Sequence, residues 1–442
     1  MSEFPADLLG RLEAAWERSD RIFTLLKRGA WLERPIALRQ PFIFYLGHLP
    51  AFAWNQVWRG VLGRPSFNPE FDRLFERGID PVGDYQPTSV AWPPEGEILS
   101  YRDRVRDALR GSFDDVLALQ GKDALADRGR IYQVAIEHEL MHHETLLYMV
   151  RQLAGSHKSR PGWLPQLVTG GAAPPKAIGI PGARVTLGAS REGLAFGWDN
   201  EFPEHEVEVA PFTMDATAVR NREYLEFVEA GGYDRRDAWS DDDWEWKAST
   251  GVRHPANWTR EGDGWLYGTL FDALPLEDVG DWPVYVSLAE ARAYARWRGL
   301  ELPTEAEFHR AAYGAPDGTP RAHPWGDEAA CPQHGSFDFR HWAPTPVGSH
   351  PAGASAWGVH ELVGNGWEWT SSVFEPYPGF AAYVRTYPGY SADFFDGKHH
   401  VMLGASWATD AALVRRSFRN WFQPHYPYVF AKFRCVARGS SR

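Results

Sequence analysis

The stretch AIEHELMHHETLLYM, Ala135 to Met149, contains His138-Glu139-Leu140-Met141-His142, which spells H-E-x-x-H. As a string that is a zinc-hydrolase signature, two His ligands with a Glu as general base. Its setting gives a different reading. Within GRIYQVAIEHELMHHETLLYMVRQL (129–153), Ile131, Ala135, His138, His142, Thr145 with Leu146, and Met149 recur in steps of four and three. That spacing marks one face of a helix, here the core-facing one. His138 and His142 therefore stand one turn apart on the inner side, where two imidazoles can converge on one ion. Two buried, hydrogen-bonded core histidines are the alternative. His143, rotated by about 100°, is expected at the surface. Glu139 falls off the stripe, either behind the histidines or towards solvent.

Three more segments share this grammar. FPADLLGRLEAAWERSDRIFTLL (4–26) and SYRDRVRDALRGSFDDVLALQ (100–120) repeat apolar residues at helical spacing, and Pro41 opens PFIFYLGHLPAFAWNQVWRGVL (41–62) as a helix-first proline would. Four long helical segments predict an antiparallel four-helix bundle over residues 1–155. His48 lies in the second of them among aromatic neighbours, an inward position. It is either a third metal ligand or a satisfied core histidine. Three inward histidines would leave positions open for substrates, as a catalytic metal requires. The extension H-E-x-x-H-x-x-G-x-x-H is absent, since HETLLYMVRQL follows His142, and this argues against peptide hydrolysis.

The remaining sequence speaks differently. Residues 156–179 are rich in Gly, Pro and Ser and read as a linker. From residue 180 to 442 the strand-like pieces are short and closely punctuated by Gly, Pro, Asp and Trp. Only SLAEARAYARWRGL (287–300) and TEAEFHRAAYG (304–314) look clearly helical. An irregular α+β domain fits. A chain of 442 residues is long enough for two such domains. Its net charge of −12 argues against an electrostatic nucleic-acid binder. No apolar run approaches the ~20 residues of a membrane span, and the acidic, amphipathic start lacks signal-peptide order. Two cysteines, Cys331 and Cys435, give no disulfide framework, so the cytoplasm is the expected compartment.

The phrases IPGARVTLG, FGWDNEFPEHEVEVAPFTMD, VRNREYLEFVEAGGY, WPVYVSLAEARAYARWRGLELPTEAEFHRAA, GVHELVGNGWEWTSS and FAKFRCVARG cover nearly all of residues 180–438. They closely resemble the formylglycine-generating-enzyme-type domain, a C-type-lectin-like α+β fold. The close cysteine pair of formylglycine-generating enzyme itself is missing, which excludes that activity as the expectation. The helical half, with Gly47-His48 and H-x-x-x-H at His138 and His142, resembles the DinB-like bundle of the iron-dependent sulfoxide synthases. That family comprises hercynine oxygenase of ergothioneine biosynthesis, an ovothiol-pathway relative and selenoneine synthase.

The resemblance implies a non-heme Fe(II)- and O2-dependent enzyme that joins a thiol to the imidazole of histidine or hercynine, with His48, His138 and His142 binding the iron. It also implies a proton-donating tyrosine that steers the reaction towards C–S bond formation. YVRTYPGYSADFFDG (383–397) holds the candidates. Tyr387, with Tyr390, best fits the family's Tyr-x-x-Tyr-Ser, and Tyr383 stays open. Asn420 and Trp421 match the family's substrate-side wall. Where some hercynine oxygenases carry an Asp and, four residues on, an Arg that grip γ-glutamylcysteine, this sequence has Phe422 and Tyr426. That departure implies a smaller donor such as free cysteine. Met141 replaces a Gln of the mycobacterial type. FYLGH and NPEFDRLFERGID are closer to the ovothiol-type enzymes, whose usual fused methyltransferase domain is not expected after Arg442. The rivals are a selenoneine-type enzyme using a selenosugar, a non-catalytic lectin-like binding module, and the zinc hydrolase.

Overall fold

In a computed structural model of the chain, the structure describes residues 7–76, 90–171 and 173–439. Residues 77–80 of the NPEFDRLFERGID stretch lie outside the described residues. The chain divides into two compact units: Met1–Gly162 with Tyr383–Pro388, and Trp163–Ala382 with Gly389–Arg442. The first unit thus takes a short piece of chain from far along the sequence, the piece that carries Tyr383 and Tyr387.

The first unit is helical: α1 Leu8–Phe23, α2 Phe42–Ala53, α3 Pro69–Phe75, α4 Glu95–Gly111, α5 Phe113–Leu117 and α6 Arg130–Gln152. Helices α1, α2 and α6 stand where the apolar spacing predicts them, and α3 is a short addition. The segment expected as one helix over 100–120 is split at Ser112 into α4, which begins earlier at Glu95, and the short α5. Pro41 is the N-cap of α2 rather than its first residue. Beyond Ala53, α2 widens into a π-helical stretch, Trp54–Val61. Helix α6 packs on α1 and α2, and α2 also packs on α3 and α4. From Ile131 to Val150, α6 is buried on nearly every side, with only Met141 half-buried.

The second unit is α+β. Its strands begin with β1 Ala177–Ile180, β2 Ala183–Leu187, β3 His205–Val209 and β4 Phe212–Asp215. Two helices follow, α7 Asn221–Glu229 and α8 Asp241–Thr250, then a meander of β5 Trp258–Glu261, β6 Gly264–Gly268 and β7 Ala273–Pro275. Next come α9 Leu288–Trp297, α10 Glu305–Tyr313, β8 Gly366–Val373, the short α11 Gly389–Ala392, β9 His400–Ala405, β10 Asn420–Phe422, β11 Ala431–Lys432 and β12 Val436–Arg438.

The central sheet has the order β10-β9-β8-β11, antiparallel except where β11 runs parallel to β8. A second sheet joins β1, β4 and β12, and β2 pairs with β3. The helix α10 packs on β2, β3, β8 and β9, closing a core that includes Phe308, Leu362, Phe374, Val401 and Leu403.

Helices α7 and α8 were not expected, yet α8 carries the start signals of a helix. Ser240 accepts from Asp243 N, three aspartates occupy the first turn, and Gly251 closes the end at φ 73°.

Candidate metal centre

The histidines of α2 and α6 form one cluster. His48, His138 and His142 are all buried, and each offers a ligand nitrogen within 4.8 Å of the other two. The ring centroids of His48 lie 5.1 Å from His138 and 5.0 Å from His142, and those of His138 and His142 are 4.4 Å apart. The Nε2 atoms of His138 and His142 approach to 3.1 Å. His48 donates Nδ1–H to the Phe75 carbonyl at 2.7 Å, which fixes its tautomer and leaves the Nε2 lone pair without a partner.

Gly47 makes that hydrogen bond possible. A Cβ there would meet the Phe75 ring at 2.4 Å, and Phe75 is fully buried. The glycine of Gly47-His48 thus lets the residue that orients the histidine come close. Aromatic rings close the cluster: Phe44 stacks on His48 at 4.9 Å, and Phe52 lies flat on His138 at 3.4 Å.

All three imidazoles are neutral at pH 7. Burial holds His48 down to about 4, against the opposing pull of the Phe75 carbonyl. Burial, then the neighbouring histidines, puts His138 well below the usual imidazole range. Burial, then His48 and Arg39, does the same to His142. Neutral imidazole is the form that ligates. Three convergent, desolvated, neutral nitrogens therefore fit a first-row divalent ion such as iron(II) or zinc(II), and suit calcium or magnesium poorly.

His143 departs from expectation, whereas Glu139 stands off the histidine stripe as expected, on its buried alternative rather than towards solvent. His143 is fully buried, and its Nε2 lies 2.8 Å from Ser19 Oγ of α1. The Ser19 hydroxyl also donates to Glu139 Oε1 at 2.5 Å. Burial raises the Glu139 carboxyl to about 7, opposed by Arg106 and Ser19. The two residues form a second inward stripe of α6, facing α1, because this helix has no wet side. Glu139 is not part of the cluster of ligand atoms. Its carboxyl is hydrogen-bonded by Ser19 of α1, which argues against the base role that the H-E-x-x-H reading assigns.

The tyrosines separate. Tyr387 meets Phe52 edge-on at 5.2 Å, one ring away from His138. The Tyr383 carbonyl accepts from Arg385 N at 2.8 Å in the same short segment. Tyr390 belongs to the second unit, where it is buried against Trp198 at 3.8 Å. The substrate-side candidates also lie in the second unit. On β10, Asn420 pairs with Met402, Trp421 with Val401 and Phe422 with His400. Trp421 stacks on Phe374 at 4.2 Å and meets Tyr390 at 5.3 Å, and Phe422 stacks on Tyr426 at 5.2 Å. Sequence reasoning missed Phe44, Phe52 and the Phe75 carbonyl. Only Gly47 beside His48 signals that last contact.

Comparison with known proteins follows the same division. Residues 11–146 match the DinB superfamily, and residues 167–439 match the sulfatase-modifying factor enzyme 1-like domain. The hercynine oxygenase of Mycolicibacterium thermoresistibile is 36% identical across 90% of this chain and 87% of its own length. The chain belongs to the sulfoxide synthase family. Within that family, hercynine oxygenase of Mycobacterium tuberculosis is 36% identical over 72% of this chain and 74% of its own. Ergothioneine biosynthesis protein 1 of Neurospora crassa is 32% identical over 96% of this chain, which spans only 57% of that protein. The formylglycine-generating enzyme of Mycobacterium tuberculosis matches 45% of the chain. The two cysteines of this sulfoxide synthase family member, Cys435 buried and Cys331 half-buried, form no disulfide. Among the described residues no helix is long and apolar enough to cross a membrane.

Proposed function

We propose that this chain joins a thiol to the imidazole carbon of hercynine or histidine, giving a sulfoxide-bridged conjugate at the expense of one O2. The balance is one imidazole C–H, one S–H and O2 converted to a C–S bond, an S=O group and water. The carrying observation is the trio of buried, neutral histidines with converging nitrogens, in a chain of this family. His48, His138 and His142 would hold Fe(II), which supplies the redox capacity for O2 that zinc lacks.

The protein's own part is orientation and proton supply. Phe44 and Phe52 wall the histidines from water and leave neutral, low-dielectric surroundings. The contact of Tyr387 with Phe52 supports Tyr387 as proton donor over Tyr390, whose ring is packed against Trp198. Asn420 and Trp421 would line the histidine-derivative side. The parallel stack of Phe422 and Tyr426 offers no charge to a γ-glutamyl carboxylate, which favours a small donor such as cysteine.

The test is anaerobic loading with Fe(II), then O2 with histidine or hercynine against cysteine, γ-glutamylcysteine and a selenosugar, read by product mass. The expected product weighs one oxygen more and two hydrogens less than hercynine and cysteine combined. Absence of an adduct in every pairing overturns the proposal. A selenosugar adduct alone would move the donor assignment to the selenoneine type.

A further inference from the structure

The piece of chain that brings Tyr387 into the helical unit lies along a single row of α2 and its π-helical continuation. Tyr387 meets Phe52 at 5.2 Å. One step back, the Thr386 carbonyl accepts from Gln56 Nε2 at 3.2 Å. One step further, Arg385 Nη1 donates to the Gly60 carbonyl at 3.1 Å, while its other terminal nitrogen pairs with Asp123. Residues 387, 386 and 385 thus descend past residues 52, 56 and 60.

The row is every fourth residue, and in an α-helix of 3.6 residues per turn such a row drifts steadily around the axis. By the third member it would have turned away from a straight partner. The π-helical turns begin at Trp54, and the Leu62 N–H bonds the Val57 carbonyl five residues back at 3.0 Å. Wider turns hold more residues and shift the same row the other way, so the α and π portions offset each other. Gly60 completes the fit, because a Cβ there would meet Thr386 Cγ2 at 2.6 Å. Gln56 is buried, and its amide supplies the side-chain donor in the middle of the row.

We infer that Phe52, Gln56 and Gly60 form a docking track, straightened by the π-helical turns, that sets the position of Tyr387 beside the histidine cluster, with Gln56 as its central positioning residue. This rests on the reading of Tyr387 as the proton donor. Gln56 itself touches only the Thr386 backbone in this role. Its effect on the reaction is therefore on partition: with Tyr387 displaced, both atoms of O2 go onto the thiol sulfur, R–SH + O2 giving the sulfinic acid R–SO2H, and no C–S bond forms.

The experiment compares wild type with Gln56→Leu, which removes the donor at similar volume, and Gly60→Ala, which crowds Thr386. The first readout needs no activity: hydrogen exchange of the peptide spanning 383–388 in the full chain. Loss of one hydrogen bond corresponds to exchange about three- to tenfold faster. The second readout is conjugate formed per O2 consumed after Fe(II) loading, expected to fall by a similar factor with iron stoichiometry retained. Unchanged exchange in both variants overturns the track. Faster exchange with unchanged coupling overturns its positioning role. If wild type forms no conjugate at all, the proposed function fails, and the exchange measurement alone decides whether the track exists.

Discussion

Each unit buries a polar cluster built from three titratable side chains, and the two are finished in opposite ways. In the second unit, Glu368, Lys432 and Arg434 are completely buried. Lys432 Nζ donates to Glu368 Oε2 at 3.0 Å and to the Gly366 carbonyl at 2.8 Å. Arg434 donates through Nε and Nη2 to the same carboxylate, and to the carbonyls of Asp215, Ala216 and His360. Burial alone would push the Glu368 carboxyl up, but the Arg434 and Lys432 cations outweigh it and hold it below the usual range. In the first unit, His48 Nε2 and the Nδ1 atoms of His138 and His142 are buried without any partner. Native proteins satisfy nearly all buried polar atoms, so a cluster left open needs an explanation. The closed cluster ties β8 to β11 and the chain after it. The open one leaves His48 Nε2 unpartnered in the cluster where the Nε2 atoms of His138 and His142 face each other, the arrangement on which the proposed metal site rests.

Three substitutions press on this contrast. The largest expected effect is at the closed cluster. Glu368→Ala leaves two buried cations without their carboxylate and should cost about 3–5 kcal/mol of stability. Chemical denaturation measures this. A loss below about 1 kcal/mol, the range of an exposed pair, would show that the cluster is not sealed. Gly47→Ala acts on the open cluster from behind. The new methyl group meets the buried Phe75 ring, with an overpacking cost of about 1–3 kcal/mol. It also displaces the carbonyl that orients His48, and an orienting partner of this kind is worth about 10–100-fold in metal affinity. Wild-type iron affinity in Gly47→Ala would remove Phe75 from the metal centre.

The smallest effect belongs to Ser19→Ala. It strips the hydroxyl shared by Glu139 and His143, at about 1–3 kcal/mol for buried partners left short of a hydrogen bond, and should leave iron stoichiometry intact. Loss of iron in this variant would place Glu139 and His143 in the metal centre after all.

How far the sequence reveals these regions depends on which physical rule governs each residue. The steps of four and three through His138 and His142 made the inner stripe of α6 legible, since helical geometry alone sets that face. The same rule failed for His143, because a stripe presupposes a wet side and α6 has none. Helix α8 went unread although it has a Ser240 cap and an acidic first turn, because those residues also mark loops. The docking of Tyr387 beside Phe52 was beyond reach, because no local pattern tells where a segment more than three hundred residues away will lie. The Tyr-x-x-Tyr wording narrowed the candidates, and three-dimensional packing puts Tyr387 against Phe52 and Tyr390 against Trp198.

The central claim is that the open cluster is a metal site formed by His48, His138 and His142. Its most direct test is an anaerobic Fe(II) titration of the full chain, read as bound iron per chain, for wild type and His138→Ala. The expected result is one iron per wild-type chain and affinity weakened by more than about 100-fold in the variant, beyond what loss of an orienting partner costs. One tightly held iron per chain in His138→Ala would contradict the account.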